Sequence, residues 1–277
     1  MSVNASRQPL AMTIGGSDSG AGAGIQADLK TFFALGVYGT SVVTAVTAQN
    51  TVEVAAIAEV PEEVVIAQID TVAEDIGADA AKTGMLVNRS IIQNVADRLE
   101  AWGIPFLVVD PVMVAKTGVP LLREDAVAAL INELLPRATV LTPNLLEAQV
   151  LSGRDIASVD DMREAARAIH ALGPGTVVIT GGRLPGPSID IVFDGTDMVA
   201  LAGERINTAN IHGTGCTFSA AITAFLARGS NTLEAIRLAK SYVEATLSAS
   251  YAIGSGAGPV NHRADLADEL RFPLSGL

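Results

Sequence analysis

A glycine-rich turn, HGTGC at residues 212–216, opens an apolar stretch that continues through Phe218, Ile222 and Phe225. That spacing predicts a helix, and the backbone N–H groups of a glycine turn at a helix start can bind an anion without a lysine. Such fixed donors would stabilise the charge on a transferring phosphoryl group, for which positioning and electrostatics supply nearly all the catalysis. Cys216 falls in the first helical turn, where we expect the dipole to lower the pKa of its thiol. A buried, unreactive cysteine is the alternative.

Residues 142–147 (TPNLLE) follow an apolar strand pattern and carry oxygen ligands. Asn144 and Glu147 are three residues apart, so they share one face of the helix that follows. Their oxygens suit Mg²⁺, and Asp110, at the end of the apolar run 105–110, could join them. Asn144 is also a favourable helix N-cap, which would explain its presence without any ligand.

Residues 15–24 (GGSDSGAGAG) lie between the first predicted strand and the first predicted helix. They lack the Gly-Lys-Ser/Thr ending of a P-loop. They match the loose GxGxxA form of a dinucleotide-binding fingerprint, but the acid expected about 20 residues further on is absent. We therefore interpret them as a flexible loop that lets a ligand lie close to backbone. Asp28, just inside the helix, either contacts that ligand or complements the helix dipole.

The composition excludes several classes of protein. With 49% hydrophobic and 17% charged residues, the 277-residue chain can bury a large core and is not expected to be disordered. The net charge of −12, without a Lys/Arg cluster, argues against binding nucleic acid or anionic membranes. The uncharged segment between Lys30 and Glu53 is too polar for a lipid-facing helix. One cysteine and a polar N-terminus favour a reducing compartment, so we expect a cytoplasmic protein.

The elements that must position these residues alternate between strands and helices, which predicts an α/β fold with a mostly parallel sheet and helices on both faces. In such sheets ligands bind beyond the C-terminal ends of the strands. We expect a tail at residues 1–9 and one domain over residues 10–277. Strands are predicted at 10–14, 41–46, 52–60, 80–83, 105–110, 139–141 and 176–180, with a hairpin over 189–201 that turns at Asp194. Helices are predicted near 25–33, with Phe33 on its apolar face, and at 61–77, 89–102, 124–135, 145–151, 159–172, 216–228 and 232–252.

Taken in order, these segments resemble the hydroxymethylpyrimidine/phosphomethylpyrimidine kinases of thiamine biosynthesis, members of the ribokinase-like superfamily. The resemblance is carried by GGSDSGAGAGIQADLKTFFALGVYG, SVVTAVTAQNT, KTGML, VVDPVMVAKTG, LTPNLLEA, HGTGCTFSAA and GAGPVNH, from about residue 12 to residue 262. It implies a three-layer α/β/α fold and a homodimer. It also implies that MgATP phosphorylates 4-amino-5-hydroxymethyl-2-methylpyrimidine and then its monophosphate, giving the diphosphate used for thiamine.

By motif position, the resemblance also implies roles for individual residues. The residues that would bind the pyrimidine are Gly16, Asp28, Gln49 and Met85, and those that would bind the metal are Asp110 and Glu147. The residues that would bind the nucleotide are Asn144, Thr180, Gly182 and Thr214. Gly213 and Gly215 would form the anion hole, and Cys216 occupies the position at which many ribokinase-like sugar kinases carry an aspartate base.

One position departs from the family pattern, and two other functions compete. Many members carry a lysine where this chain has Thr180, so Arg183, or Mg²⁺ with the anion hole, would have to supply the charge for the nucleotide phosphates.

A pyridoxine/pyridoxal kinase is the competing enzyme, because its substrate is also a hydroxymethylated nitrogen heterocycle. The competing non-enzyme is a pyrimidine-binding protein that retains the fold.

Overall fold

A computed structural model describes residues 7–115, 119–182 and 184–271. The strands of its sheet are β1 (Leu10–Asp18), β2 (Tyr38–Gln49), β3 (Val54–Glu59), β4 (Ala80–Thr83), β5 (Leu107–Val109), β6 (Val140–Leu141), β7 (Thr176–Ile179), β8 (Ser188–Phe193) and β9 (Met198–Gly203). The helices are α1 (Gly24–Ala34), α2 (Glu62–Asp75), α3 (Arg89–Ala101), α4 (Glu124–Ala129), α5 (Leu145–Ser152), α6 (Val159–His170), α7 (Thr214–Ala227) and α8 (Thr232–Ser248).

Over the described residues, the sheet has nine strands in the order β3-β2-β1-β4-β5-β6-β7-β8-β9. The six strands from β2 to β7 in that order run parallel, whereas β3 at one edge is antiparallel to β2, and β8 near the other edge is antiparallel to both β7 and β9. The predicted mostly parallel sheet is therefore confirmed. Parallel order brings the C-terminal ends of β1, β2, β4, β5, β6 and β7 to one edge, where ligands of such sheets bind.

Two hydrophobic cores cover the two faces of this sheet, which confirms the three-layer architecture. Adjacent strand residues such as Val108 and Val109 point into different cores, because side chains alternate across a strand. Helices α2 to α6 contribute to one core, and α1, α7 and α8 contribute to the other. Every residue of α7 from Thr217 to Ala227 is buried. This packing fixes the start of α7 at the functional edge of the sheet.

The structure corrects several predicted details. Phe33 is 87% exposed, because the buried face of α1 is formed by Ile25 and Phe32 and their neighbours, and Phe33 lies about 100° further round the helix. The single helix expected over 124–135 is α4 followed by a π-helical turn, Leu130–Leu134, and a 3₁₀ turn. Among the described residues, no helix is long and apolar enough to cross a membrane.

Candidate active site

The glycine loop after β1 and the turn before α7 are in direct contact. Gly213 has a φ of +81°, and a Cβ added to it would lie 1.8 Å from the carbonyl oxygen of Gly22. A Cβ added to Gly22 would in turn lie 2.2 Å from Cδ2 of His212. Only glycine fits at these two positions, so the two glycine segments predicted from the sequence form one site.

Asp18, at the end of β1, joins the same two segments. Its carboxylate accepts hydrogen bonds from the N–H groups of Gly20, Gly22 and Ala23 and lies 3.0 Å from Nε2 of His212. Burial alone would raise the pKa of Asp18, but the hydrogen bonds from His212 and the loop together lower it. Asp18 therefore holds the loop in shape as an anion. Neither Asp18 nor His212 was predicted as a site residue.

Three of the four residues expected to contact the pyrimidine lie around this loop. Met85 packs directly on Gly16, with its Sδ 2.9 Å from the place of an added Cβ, and its carbonyl oxygen accepts a hydrogen bond from Thr44. Nε2 of Gln49 lies 3.5 Å from Nε2 of His212. The structure thus places Gly16 and Met85 against each other at the end of β1, and Gln49 beside His212 of the second glycine segment.

Asp28 does not reach this surface, and the expected contact with a pyrimidine needs correction. It is 2% exposed, and its two oxygens bind the Thr13 hydroxyl and the Lys82 ammonium group, each at 2.6 Å. Lys82 is 1% exposed. Burial is the largest single effect and would lower the pKa of Lys82, but the attractions of Asp28, Cys216 and Asp110 together outweigh it and raise that pKa. In the sequence, a lysine inside the short apolar pattern 80–83, which is predicted to be a strand, is a signal of a buried charge.

Asp110 and Glu147 form a second, acidic part of the site. Asp110 accepts a hydrogen bond from Ser219 of α7. Burial and, to a smaller extent, the neighbouring carboxylate of Asp110 raise the pKa of Glu147 to about 8. Two buried carboxylates that disfavour each other's charge fit a divalent cation between them, and Mg²⁺ needs only one or two carboxylates because it retains water. Within the described ranges, no larger cluster of metal-ligating side chains occurs.

Asn144 adopts the simpler of its two predicted roles. Its side chain accepts hydrogen bonds from the N–H groups of Leu146 and Glu147, and Glu147 accepts one from the N–H group of Asn144. This reciprocal capping box starts α5 and orients Glu147 toward the acidic part of the site.

The strand end at Thr180 lies beside Asn144, as the proposed nucleotide contacts require. Thr180 donates its N–H to the carbonyl of Pro143 and forms a parallel bridge with Asn144. Gly182 is exposed, and no atom lies within 4 Å of an added Cβ there. Arg205 donates hydrogen bonds to the carbonyls of Gly182, Leu184 and Gly186. Arg183, expected to replace the missing lysine, lies outside the described residues.

The first turn of α7 presents an open surface next to Cys216. An added Cβ at Gly215 would meet no heavy atom within 4 Å, whereas the Thr214 hydroxyl is bonded to the carbonyl of Ile211. The expectation of a lowered thiol pKa is wrong: burial raises the pKa of Cys216 to about 12. Lys82 lowers this pKa, but Asp110 and Asp28 oppose it, and burial dominates.

Sequence comparison identifies the relatives of this chain. The family model described as phosphomethylpyrimidine kinase matches residues 18–261. A hydroxymethylpyrimidine/phosphomethylpyrimidine kinase of Rhizobium meliloti is 53% identical over 91% of this chain and 96% of that protein. A thiamine biosynthesis bifunctional protein of Geobacter sulfurreducens is 48% identical over 91% of this chain and 51% of that protein.

Solved structures with the same fold include two kinds of vitamin kinase. A Bacillus subtilis pyridoxal kinase in complex with ADP has a TM-score of 0.88 and 43% identity, over 93% of this chain and 98% of that one. A Clostridium difficile phosphomethylpyrimidine kinase has a TM-score of 0.76 and 42% identity, over 86% of this chain and 98% of that one.

Proposed function

The chain belongs to the phosphomethylpyrimidine kinase family, and we propose that it phosphorylates 4-amino-5-hydroxymethyl-2-methylpyrimidine with ATP and then phosphorylates the monophosphate. The product would be the diphosphate used for thiamine, made in the cytoplasm. The observation that carries this proposal is the direct contact of Gly213 with Gly22. It joins a loop that can hold a heterocycle to a helix start that can hold a phosphoryl group.

The start of α7 performs the electrostatic part of this reaction. The first N–H groups of a helix have no carbonyl partner within it, and the surface at Gly215 is open. An oxygen of the transferring group can therefore approach the N–H groups of Gly215 and Cys216, where fixed donors stabilise its charge. Thr214 would border this group without donating to it, because its hydroxyl and its N–H group are both bonded to the carbonyl of Ile211.

Cys216 follows Gly215 in the first turn of α7, beside the open surface at which the substrate hydroxyl would lose its proton. A thiol with a pKa raised to about 12 is protonated at neutral pH, so it is not a ready base. A loose transition state requires little deprotonation before the new bond forms. We therefore assign Cys216 to positioning the hydroxyl, whose proton leaves late in the transfer to an oxygen of the transferred phosphoryl group.

Asp110 and Glu147 would hold Mg²⁺, and Thr180 and Gly182 would border the nucleotide. Bound there, the cation would neutralise charge on the nucleotide phosphates. Asn144 acts through the cap of α5, which fixes the Glu147 carboxylate. Arg205 holds the carbonyls after Gly182 in place, which shapes the loop beside the phosphates.

A pyridoxal kinase is the second candidate, because a pyridoxal kinase is among the structures with the same fold. ADP release measured with each substrate alone and in competition separates the two functions. We expect ADP release that depends on hydroxymethylpyrimidine and resists an equal concentration of pyridoxal. A strong preference for pyridoxal would reverse the assignment, and no release with either substrate would favour a pyrimidine-binding protein.

We further propose that the protein is a homodimer paired through β3. This edge strand is apolar over residues 55–58, and all four of those residues are exposed. Exposed apolar edge strands invite pairing with another strand. Light scattering should give twice the 28.5 kDa mass of one chain. Ile57→Glu should give the mass of the monomer. Val150→Glu, the control at an exposed apolar site on α5, should keep the mass of the dimer. A monomeric wild type would refute the proposal.

A further inference from the structure

Lys82 occupies an unusual place for a lysine. It lies on β4, between β1 and β5 in the sheet, and is 1% exposed. Its Nζ is 2.6 Å from Oδ1 of Asp28 on α1 and 3.9 Å from Oδ2 of Asp110 after β5. Lysine is almost never fully buried unless it is paired. Here one ammonium group joins α1, the helix that follows the glycine loop, to the acidic part of the site.

The groups around Lys82 come from every element packed against it. Thr13 of β1 donates to Asp28, and Ser219 of α7 donates to Asp110. The same Ser219 hydroxyl lies 3.1 Å from the carbonyl oxygen of Cys216, which links Cys216 to Asp110 and Lys82. The positive charge of Lys82 favours the thiolate of Cys216, against the effects of the two carboxylates. The cluster therefore contains one cation, two carboxylates and the thiol at the proposed site of transfer.

The stability of the fold is a weak explanation for the buried ion pair of Lys82 and Asp28. Replacing a buried ion pair by apolar groups is often neutral or stabilising, so stability is a weak reason to keep a lysine there. A fixed charge in a poorly solvated site, in contrast, stabilises nearby negative charge without any reorganisation during reaction. A partner that orients a metal-binding carboxylate commonly contributes 10- to 100-fold to affinity or activity, on the order observed for such outer contacts.

We propose that Lys82 is a positioning residue for the phosphoryl transfer. Its ammonium group fixes Asp110 in the acidic part of the site, ties it to Asp28 of α1, and adds a permanent positive charge to the cluster that includes Cys216. Its effect on turnover rests on the proposed function, whereas its effect on the thiol does not.

The first test is the kinetics of Lys82→Met, which keeps most of the side-chain volume and removes the charge. We expect kcat to fall by about 10- to 100-fold. The KM for hydroxymethylpyrimidine should stay close to that of the wild type. Lys82 is buried, and its ion pairs are with Asp28 and Asp110 rather than with the surface residues proposed to contact the pyrimidine. Wild-type kcat in a folded Lys82→Met protein would overturn the proposal.

The second test uses the single cysteine of the chain, whose alkylation by iodoacetamide reports on Cys216 alone. Lys82→Met removes the positive charge, so alkylation at a fixed pH should be slower. Asp28→Asn removes a negative charge from the same pair, so alkylation should be faster. Opposite changes are not expected if breaking the pair merely loosens the structure, and changes in the same direction would overturn the proposal.

Lys240→Met is the matched control for the thiol. Lys240 is also largely buried and lies 2.7 Å from an aspartate, Asp190, but it does not act on Cys216. Its replacement should leave the alkylation rate unchanged. If Lys82→Met does not fold, the Asp28→Asn variant tests the proposal alone. An alkylation rate of Cys216 in Asp28→Asn equal to that of the wild type would refute the proposal. If the wild type has no kinase activity, the proposed function fails while the alkylation series still tests Lys82.

Discussion

Replacing Gly213 by alanine should destabilise the protein by separating the two glycine segments. The residue has a φ of +81°, and a left-handed conformation costs an alanine about 1–2 kcal/mol. The new Cβ would also lie 1.8 Å from the carbonyl oxygen of Gly22, which is backbone and cannot rotate away. Overpacking of this kind typically costs about 1–3 kcal/mol. We therefore expect Gly213→Ala to lower the free energy of unfolding by about 2–5 kcal/mol.

Gly215→Ala is the matched control, two residues further along the same turn. Its Cβ would meet no atom within 4 Å, and its φ is not left-handed. Alanine favours a helix over glycine by up to about 1 kcal/mol, so the stability should be unchanged or slightly higher. The methyl group would, however, occupy the open surface at which the phosphoryl group must bind. We expect kcat to fall by about 100-fold or more, as when one donor of an anion hole is lost.

Urea denaturation and steady-state ADP release on the two variants separate these effects. Gly213→Ala should unfold at a clearly lower urea concentration, and Gly215→Ala should unfold like the wild type while losing turnover. A wild-type urea midpoint for Gly213→Ala would refute the contact between the segments. Full activity in Gly215→Ala would refute the open surface as the phosphoryl site.

Three further predictions concern single side chains. Cys216→Ala should reduce kcat strongly at near-unchanged pyrimidine affinity, and wild-type turnover would exclude a role in transfer. Burial lowers the pKa of His262 to about 4 from 6.5, so the unfolded chain binds its proton first. The stability that this neutral histidine contributes is complete above pH 6.5 and falls by about 3 kcal/mol toward pH 4; urea titrations of His262→Gln should show a smaller decline over that range. Asp18→Asn should raise the KM for hydroxymethylpyrimidine and lower stability by about 2 kcal/mol, because it weakens charge-assisted hydrogen bonds to the loop. An unchanged KM in Asp18→Asn would show that the glycine loop does not contribute to substrate binding.

Local patterns in the sequence predicted the fold well where a local cause decides it. The β-branched run 176–180 forms β7, and Asp194 turns the hairpin of β8 and β9. The cap at Asn144 was recognised because its partner lies three residues away. Phe33 was misplaced because a helix with several apolar neighbours does not reveal which of them points outward.

The charges of the site depended on contacts that no local pattern contains. Asp18 and His212 are 194 residues apart in sequence, and Lys82 and Asp28 are 54 apart. The helix dipole suggested a lowered pKa for Cys216, but the thiol is half-buried and lies near carboxylates, and its loss of solvation raises that pKa instead. Such long-range neighbours decide whether a charge is stabilised, so sequence motifs located the site without giving its electrostatics.

The most direct measurement is mass spectrometry of the products formed from hydroxymethylpyrimidine and MgATP by the wild-type protein. We predict that the monophosphate appears first and the diphosphate accumulates, with ADP released in step with both transfers. Monophosphate without diphosphate would contradict the second transfer. The absence of any phosphorylated pyrimidine would contradict the account as a whole.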